Sequence, residues 1–130
     1  MKKTLRLLSV PATALLLSAC ANQGGFGSEK ATAEQQQAIQ EVRNAYEAGR
    51  YKEVTETVGI SLPLQSSTRE INIEALKLQA FSYCLLKDTR RCERSFARIL
   101  VRYPDFELSE SESQHPMWAP AYERAKAGRK

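Results

Sequence analysis

Cys92, Phe96, Ile99 and Tyr103 recur at intervals of three and four residues, and the run is halted by Pro104. That spacing lines all four side chains along one face of an α-helix, and such a stripe forms a stable helix in water only if something covers it. The same period appears upstream. Ala38, Ile39, Val42, Ala45 and Tyr46 predict a helix from about Ala33 to Ala48, ending at Gly49, with Thr32 and Gln35 at capping-box spacing. Tyr51, Val54 and Val58 predict a second, short helix that ends at Gly59, and the following ISLPLQSS, with Pro63, is expected to be a loop. Ser67 and Glu70 repeat the capping-box spacing before a third helix, Thr68 to about Lys87. This helix is apolar on two sides: Ile73, Leu76, Ala80 and Tyr83 on one, Ile71, Ala75, Leu78 and Leu85 on the other. A helix flanked by partners on both sides has this character. Asp88 and Thr89 cap the helix that carries the Cys92 stripe. An acidic loop, PDFELSESESQ, leads to a last short helix opened by Pro116 or Pro120 and bearing Trp118, Tyr122 and Ala125. Ile71 to Ile73 alternates locally, but its neighbours follow the helical period. Five helices and no strand predict an all-α domain.

The N-terminus has a different logic. Lys2, Lys3 and Arg6 precede a short apolar run, Leu7 to Leu17, interrupted by Pro11. This is the pattern of a secretory signal, and the run is shorter than the roughly 20 residues a bilayer-spanning helix needs. Leu17, Ser18, Ala19 and Cys20 resemble the bacterial lipobox. The resemblance implies residues 1–19 as a lipoprotein signal peptide and cleavage before Cys20. It also implies diacylglycerol and N-acyl (palmitate-type) chains on that cysteine, the only cofactor-like group expected. Ala21 in place of aspartate implies the outer membrane, with the domain facing the periplasm. Several acyl chains hold a protein on its membrane where one holds it marginally. Residues 20–31, rich in glycine and polar residues, are expected to be a lipidated flexible tether, and residues 32–130 the helical domain. Of nineteen lysines and arginines, Lys2, Lys3 and Arg6 lie in the signal, which leaves sixteen against fifteen acidic residues. The basic balance therefore belongs to targeting and argues against nucleic acid as a partner.

Cys84 and Cys92 lie eight residues apart in a chain addressed to an oxidising compartment, where a bridged pair is the commoner fate. Counted back from Pro104, the second hairpin resembles the tetratricopeptide pattern, a repeat of about 34 residues. Leu76, Ala80 and Tyr83 take the packing positions of its first helix, and Cys92, Phe96 and Ile99 those of the second. The first hairpin, GRY with Val54 and Val58, matches more loosely. An unrelated helical bundle with the same period is the competing reading. The resemblance implies antiparallel helical hairpins closed by a C-terminal capping helix, and this register brings Cys84 and Cys92 together across one turn. A zinc site is the alternative use of the cysteines, but C-x7-C is not a usual zinc spacing, and His115, the only histidine, precedes Pro116 in a polar loop. No metal site is expected.

AFSYCLL, RCERSF, PDFEL and HPMWAPAYERAK resemble segments of the small TssQ-like lipoproteins that accompany type VI secretion gene clusters. The resemblance covers roughly Ala75 to Lys126. It implies an accessory envelope lipoprotein of a contractile secretion machine whose partner is another envelope protein, and it supplies no catalytic residue. A general envelope-assembly or pilotin-like lipoprotein is the alternative.

Nothing in the chain assembles a nucleophile with a base, and Gly24, Gly25 and Gly27 make no phosphate-binding motif. No enzyme activity and no small-molecule substrate are expected. The distinctive surface signal is Arg90, Arg94, Arg98 and Arg102, spaced by four and joined by Arg91. Like charges at that spacing oppose the helix, and Arg90 and Arg91 sit at the positive end of its dipole, so something should offset them. Three offsets compete: the acidic loop (Asp105, Glu107, Glu110, Glu112) folded back onto the stripe, an acidic partner protein, or membrane phosphates. Arg94, Arg98 and Arg102 are the candidate partner-binding residues. Trp118 and Tyr122, four apart on one face, either cap the last hairpin or form an exposed aromatic anchor for the partner.

Overall fold

The computed structural model describes residues 30–129, so the signal peptide, Cys20 and most of the tether lie outside the described residues. Within the described residues seven helices follow one another: α1 (Ala33–Glu47), α2 (Tyr51–Ile60), α3 (Leu62–Gln65), α4 (Arg69–Leu85), α5 (Thr89–Arg102), α6 (Glu110–Ser113) and α7 (Ala119–Ala127). Among the described residues there is no strand. The all-α expectation holds. The long helices pair as hairpins, α1 with α2 and α4 with α5, and α7 packs on α5.

The local signals that hold are those satisfied within a few residues. Thr32 Oγ1 accepts from the Gln35 amide at 3.2 Å while the Gln35 side chain accepts from the Thr32 amide at 3.1 Å, a complete capping box. The Asp88 carboxylate accepts from the Arg91 amide at 2.9 Å and starts α5. Two expected loops are corrected. ISLPLQSS contains α3, in which Ser61 accepts from the Leu64 amide and Pro63 sits in the first turn, where its missing N–H costs nothing. The acidic loop contains α6, closed by a reciprocal Ser109 and Glu112 capping box. The capping box expected of Ser67 and Glu70 does not form. Ser67 Oγ instead donates to the Leu64 carbonyl at 2.7 Å, satisfying the end of α3, and α4 begins after Thr68 with no side-chain cap.

Both hairpins turn by the same device. The amide of Gly49 donates to the Tyr46 carbonyl and that of Arg50 to Ala45; the amides of Lys87 and Asp88 donate to Cys84 and Tyr83 in the same pattern. Each turn is a Schellman closure with its pivot in the left-handed region, Gly49 at φ 72° and Lys87 at φ 64°. The pivots stand thirty-eight positions apart, longer than the roughly 34 expected, because α3 is interposed before α4. A lysine with a Cβ is penalised at such a pivot and glycine is not. Lys87→Gly is therefore expected to raise stability by about 0.5 to 1 kcal/mol in urea unfolding.

α4 stands at the centre, as its two apolar sides require. Ile71 and Ala75 join Ile39, Val42, Val54, Val58 and Leu64 in one cluster, while Ala80, Phe81 and Cys84 join Phe96, Ile99, Leu100, Trp118 and Tyr122 in the other. Several polar side chains are buried with it. Asn72 Nδ2 donates to the Leu64 carbonyl at 2.7 Å and its Oδ1 accepts from the Tyr103 hydroxyl at 2.7 Å, tying α3, α4 and the end of α5 together. Gln79 Nε2 donates to the Thr55 carbonyl at 3.0 Å and ties α4 to α2.

Cys84 and Cys92 are both buried and stand at disulfide distance across the α4–α5 turn, their Cα atoms 5.1 Å apart. Replacing both with serine is expected to cost about 2 to 3 kcal/mol, chiefly by freeing the unfolded chain. Chemical denaturation of oxidised wild type and the double variant measures the difference.

Candidate interaction surface

Arg90, Arg91, Arg94, Arg98 and Arg102 are all exposed on α5. With 3.6 residues per turn, each step of four advances about 40° around the helix, so the row from Arg90 to Arg102 winds through about 120°. It does not make one face. Arg90 and Arg94 border a groove between α5 and α7. Arg94 and Arg98 border a smaller recess toward α4, beside Gln79 and Tyr83. Arg102 reaches the other end, where Nη2 donates to the Gln65 carbonyl at 3.3 Å and the guanidinium lies over the Tyr103 ring.

The acidic loop does not fold back onto this row. Asp105 receives Arg69 from α4 at 2.8 Å, and that hydrogen bond holds its carboxyl below the ordinary value. Glu112 pairs with Lys77, also on α4, at 2.5 Å. Burial pushes the Glu112 carboxyl up, but the hydrogen bonds from Lys77 and Ser109 outweigh it and leave it lowered. Elsewhere Glu93 holds Arg124 at 2.8 Å and Asp88 holds Arg91 at 3.3 Å. Among the described residues, Arg90, Arg94 and Arg98 take part in no ion pair. The loop's charge serves to fasten α6 and the Phe106 segment to α4.

Of the two roles open to the aromatic pair, the fold takes the cap and not the exposed anchor. Trp118 is 8% and Tyr122 3% exposed, so neither is an anchor for a partner in this fold. Trp118 stacks on Phe81 with ring centroids 4.0 Å apart, carries His115 on its other side at 3.6 Å, and donates from Nε1 to the Glu112 carbonyl at 2.9 Å. Tyr122 donates to the Phe106 carbonyl at 3.2 Å and meets the Phe96 ring edge-on. Both belong to the cap that α7 places over the second hairpin. The rest of the candidate surface was not visible in the sequence: the α5–α7 groove depends on where α7 docks, and only Val101, 77% accessible and on the side of α5 opposite the Cys92 stripe, marks it.

Among the described residues no group of three or more histidine, cysteine, aspartate or glutamate side chains is placed to hold a metal ion, and no helix is long and apolar enough to cross a membrane. No family model matches the chain, and neither a curated protein nor a solved structure shows significant similarity to it.

Proposed function

We propose that this chain is a membrane-anchored protein-interaction module, an accessory outer-membrane lipoprotein of a type VI secretion apparatus whose α5 arginines engage an acidic segment of an envelope partner. One observation carries the binding part of this reading. The fold commits Asp105 and Glu112 of the acidic loop to Arg69 and Lys77 of α4 and, among the described residues, leaves Arg90, Arg94 and Arg98 exposed without a carboxylate, although their mutual repulsion disfavours the helix. The anchor rests on the lipobox-like residues before Cys20, and the secretion address on the resemblance of residues 75–126. The helical hairpins give the arginines a rigid platform, and charge of this kind speeds encounter more than it tightens the complex.

Replacing Arg94, Arg98 and Arg102 together with glutamate is expected to lower partner capture from cross-linked envelopes by about tenfold or more at low ionic strength, with a smaller difference at high salt. Helical content and the lipidated N-terminal mass stay unchanged. Capture that persists in the folded triple variant contradicts the arginine surface, and an unmodified Cys20 by mass spectrometry contradicts the membrane address. Adjacent sheath and membrane-complex genes are expected beside the coding sequence; their absence favours a general envelope-assembly role.

A further inference from the structure

The groove between α5 and α7 has a volume of about 1180 Å³ and is bordered along α5 by Arg90, Arg94, Ala97 and Val101. These positions are spaced by four, three and four residues, one continuous face of a fourteen-residue helix. Across the groove stand Arg124 and Ala125 of α7. The floor is apolar and shallow in side chain: Ala97 and Ala125 allow a helix backbone to approach closely, and the buried Leu100 lies beneath. Val101 projects into this space with 77% of its surface exposed, an apolar contact already in place for an occupant.

Among the described residues the rim carries four arginines, Arg90, Arg94, Arg124 and Arg129, against a single carboxylate, Glu93. Glu93 is held by Arg124 at 2.8 Å, and Arg129 donates to the Pro104 carbonyl at 3.2 Å. Arg90 and Arg94 remain for an incoming anion. A symmetric pair of copies joined groove to groove would set these arginines against one another, which costs association energy rather than supplying it.

From this we infer that the α5–α7 groove is the docking site for an amphipathic helix of a partner protein, one with a ridge of small and medium apolar side chains bordered on its α5-facing edge by aspartate or glutamate. The inference rests on the interaction-module reading and assigns its partner a shape and a seat. α5 is about 21 Å long at 1.5 Å per residue, so the matching helix has about four turns. Its apolar ridge lies along Ala97, Val101 and Ala125, and its carboxylates meet Arg90 and Arg94 on the α5 side.

The test uses a synthetic peptide of about four helical turns with an alanine and leucine ridge flanked by glutamates, titrated into the full chain and followed by fluorescence anisotropy and amide NMR shifts. Controls are the same peptide with lysines in place of the glutamates, and vesicles of phosphatidylethanolamine and phosphatidylglycerol. The glutamate peptide is expected to bind at least about tenfold more tightly than the lysine peptide and to shift the amides of Ala97, Val101 and Ala125. Arg90→Glu combined with Val101→Asp is expected to weaken it by about tenfold or more, both positions being exposed and the fold intact by circular dichroism. Arg98→Glu with Arg102→Glu, outside the groove, is expected to change it by less than about threefold. Binding that ignores the Arg90 and Val101 pair but is lost with the Arg98 and Arg102 pair overturns the groove and leaves the acidic-partner reading standing. A glutamate peptide that binds no better than the lysine peptide overturns the inference. If in addition the vesicles bind in an arginine-dependent way, the protein-partner reading of α5 falls with it.

Discussion

Trp118→Ala is expected to cost about 3 to 5 kcal/mol, the range for removing a buried aromatic from a packed core. Trp118 lies between Phe81 of α4 and His115, is the residue from which α7 starts, and donates to the Glu112 carbonyl at the end of α6. Its loss opens a cavity under the cap, removes the stack on Phe81 and takes one of two donors from the Glu112 carbonyl, which keeps the His115 amide. The effect should spread to α7, whose Tyr122 closes the same cluster against Phe96 and Phe106. Urea unfolding measures the cost, and hydrogen exchange should show α7 losing protection first. Trp118→Phe, which keeps the stack and loses the N–H, should retain more than half of the stability difference.

Asn72→Ala comes next, at about 2 to 4 kcal/mol. The loss is not the packing of a small side chain but two hydrogen bonds: the buried Tyr103 hydroxyl is stranded, at about 1 to 3 kcal/mol, and the Leu64 carbonyl gives up a bond of about 1 kcal/mol while keeping Ser67 Oγ as a donor. Tyr103→Phe keeps the Asn72 bond to Leu64 but takes the donor from the buried Asn72 Oδ1, and should cost about 1 to 3 kcal/mol. Because the two residues share a hydrogen bond, the double variant should be more stable than the two single losses added together, and a double-mutant cycle in denaturant checks that coupling.

These two cases show what a sequence of this kind reveals and what it conceals. Thr32 with Gln35 and Asp88 before Arg91 were legible because a cap is completed within one turn of chain. Ser109 with Glu112 is the same signal, but in a run of acidic residues the loop composition hid the helical turn. Ser67 with Glu70 shows the converse: the motif is present, yet the end of α3 competes for the serine hydroxyl and wins. Asn72 and Gln79 carry no local signal of burial. Only folding brings Asn72 to Tyr103, thirty-one residues away in the chain, and Gln79 to the Thr55 carbonyl.

The arginines of α5 were legible as a row but not as a surface. Their periodicity is a property of the chain, whereas the division of the row among the α7 groove, the α4 recess and the α3 corner depends on how neighbouring helices dock. The acidic loop is the complementary case. Its carboxylates were countable from the sequence, but their partners Arg69 and Lys77 lie on the central helix, on the opposite side of a chain reversal that no local pattern specifies.

The central claim is that the exposed arginines of α5 exist for a partner. A photoreactive amino acid placed at position 94, which belongs to the arginine row and borders the groove, compared with one at the exposed position 52 on α2, tests it directly in intact envelopes. The account predicts a discrete, salt-sensitive adduct with an acidic envelope protein from position 94 and none from position 52. No adduct from position 94, or the same adducts from both positions, would contradict it.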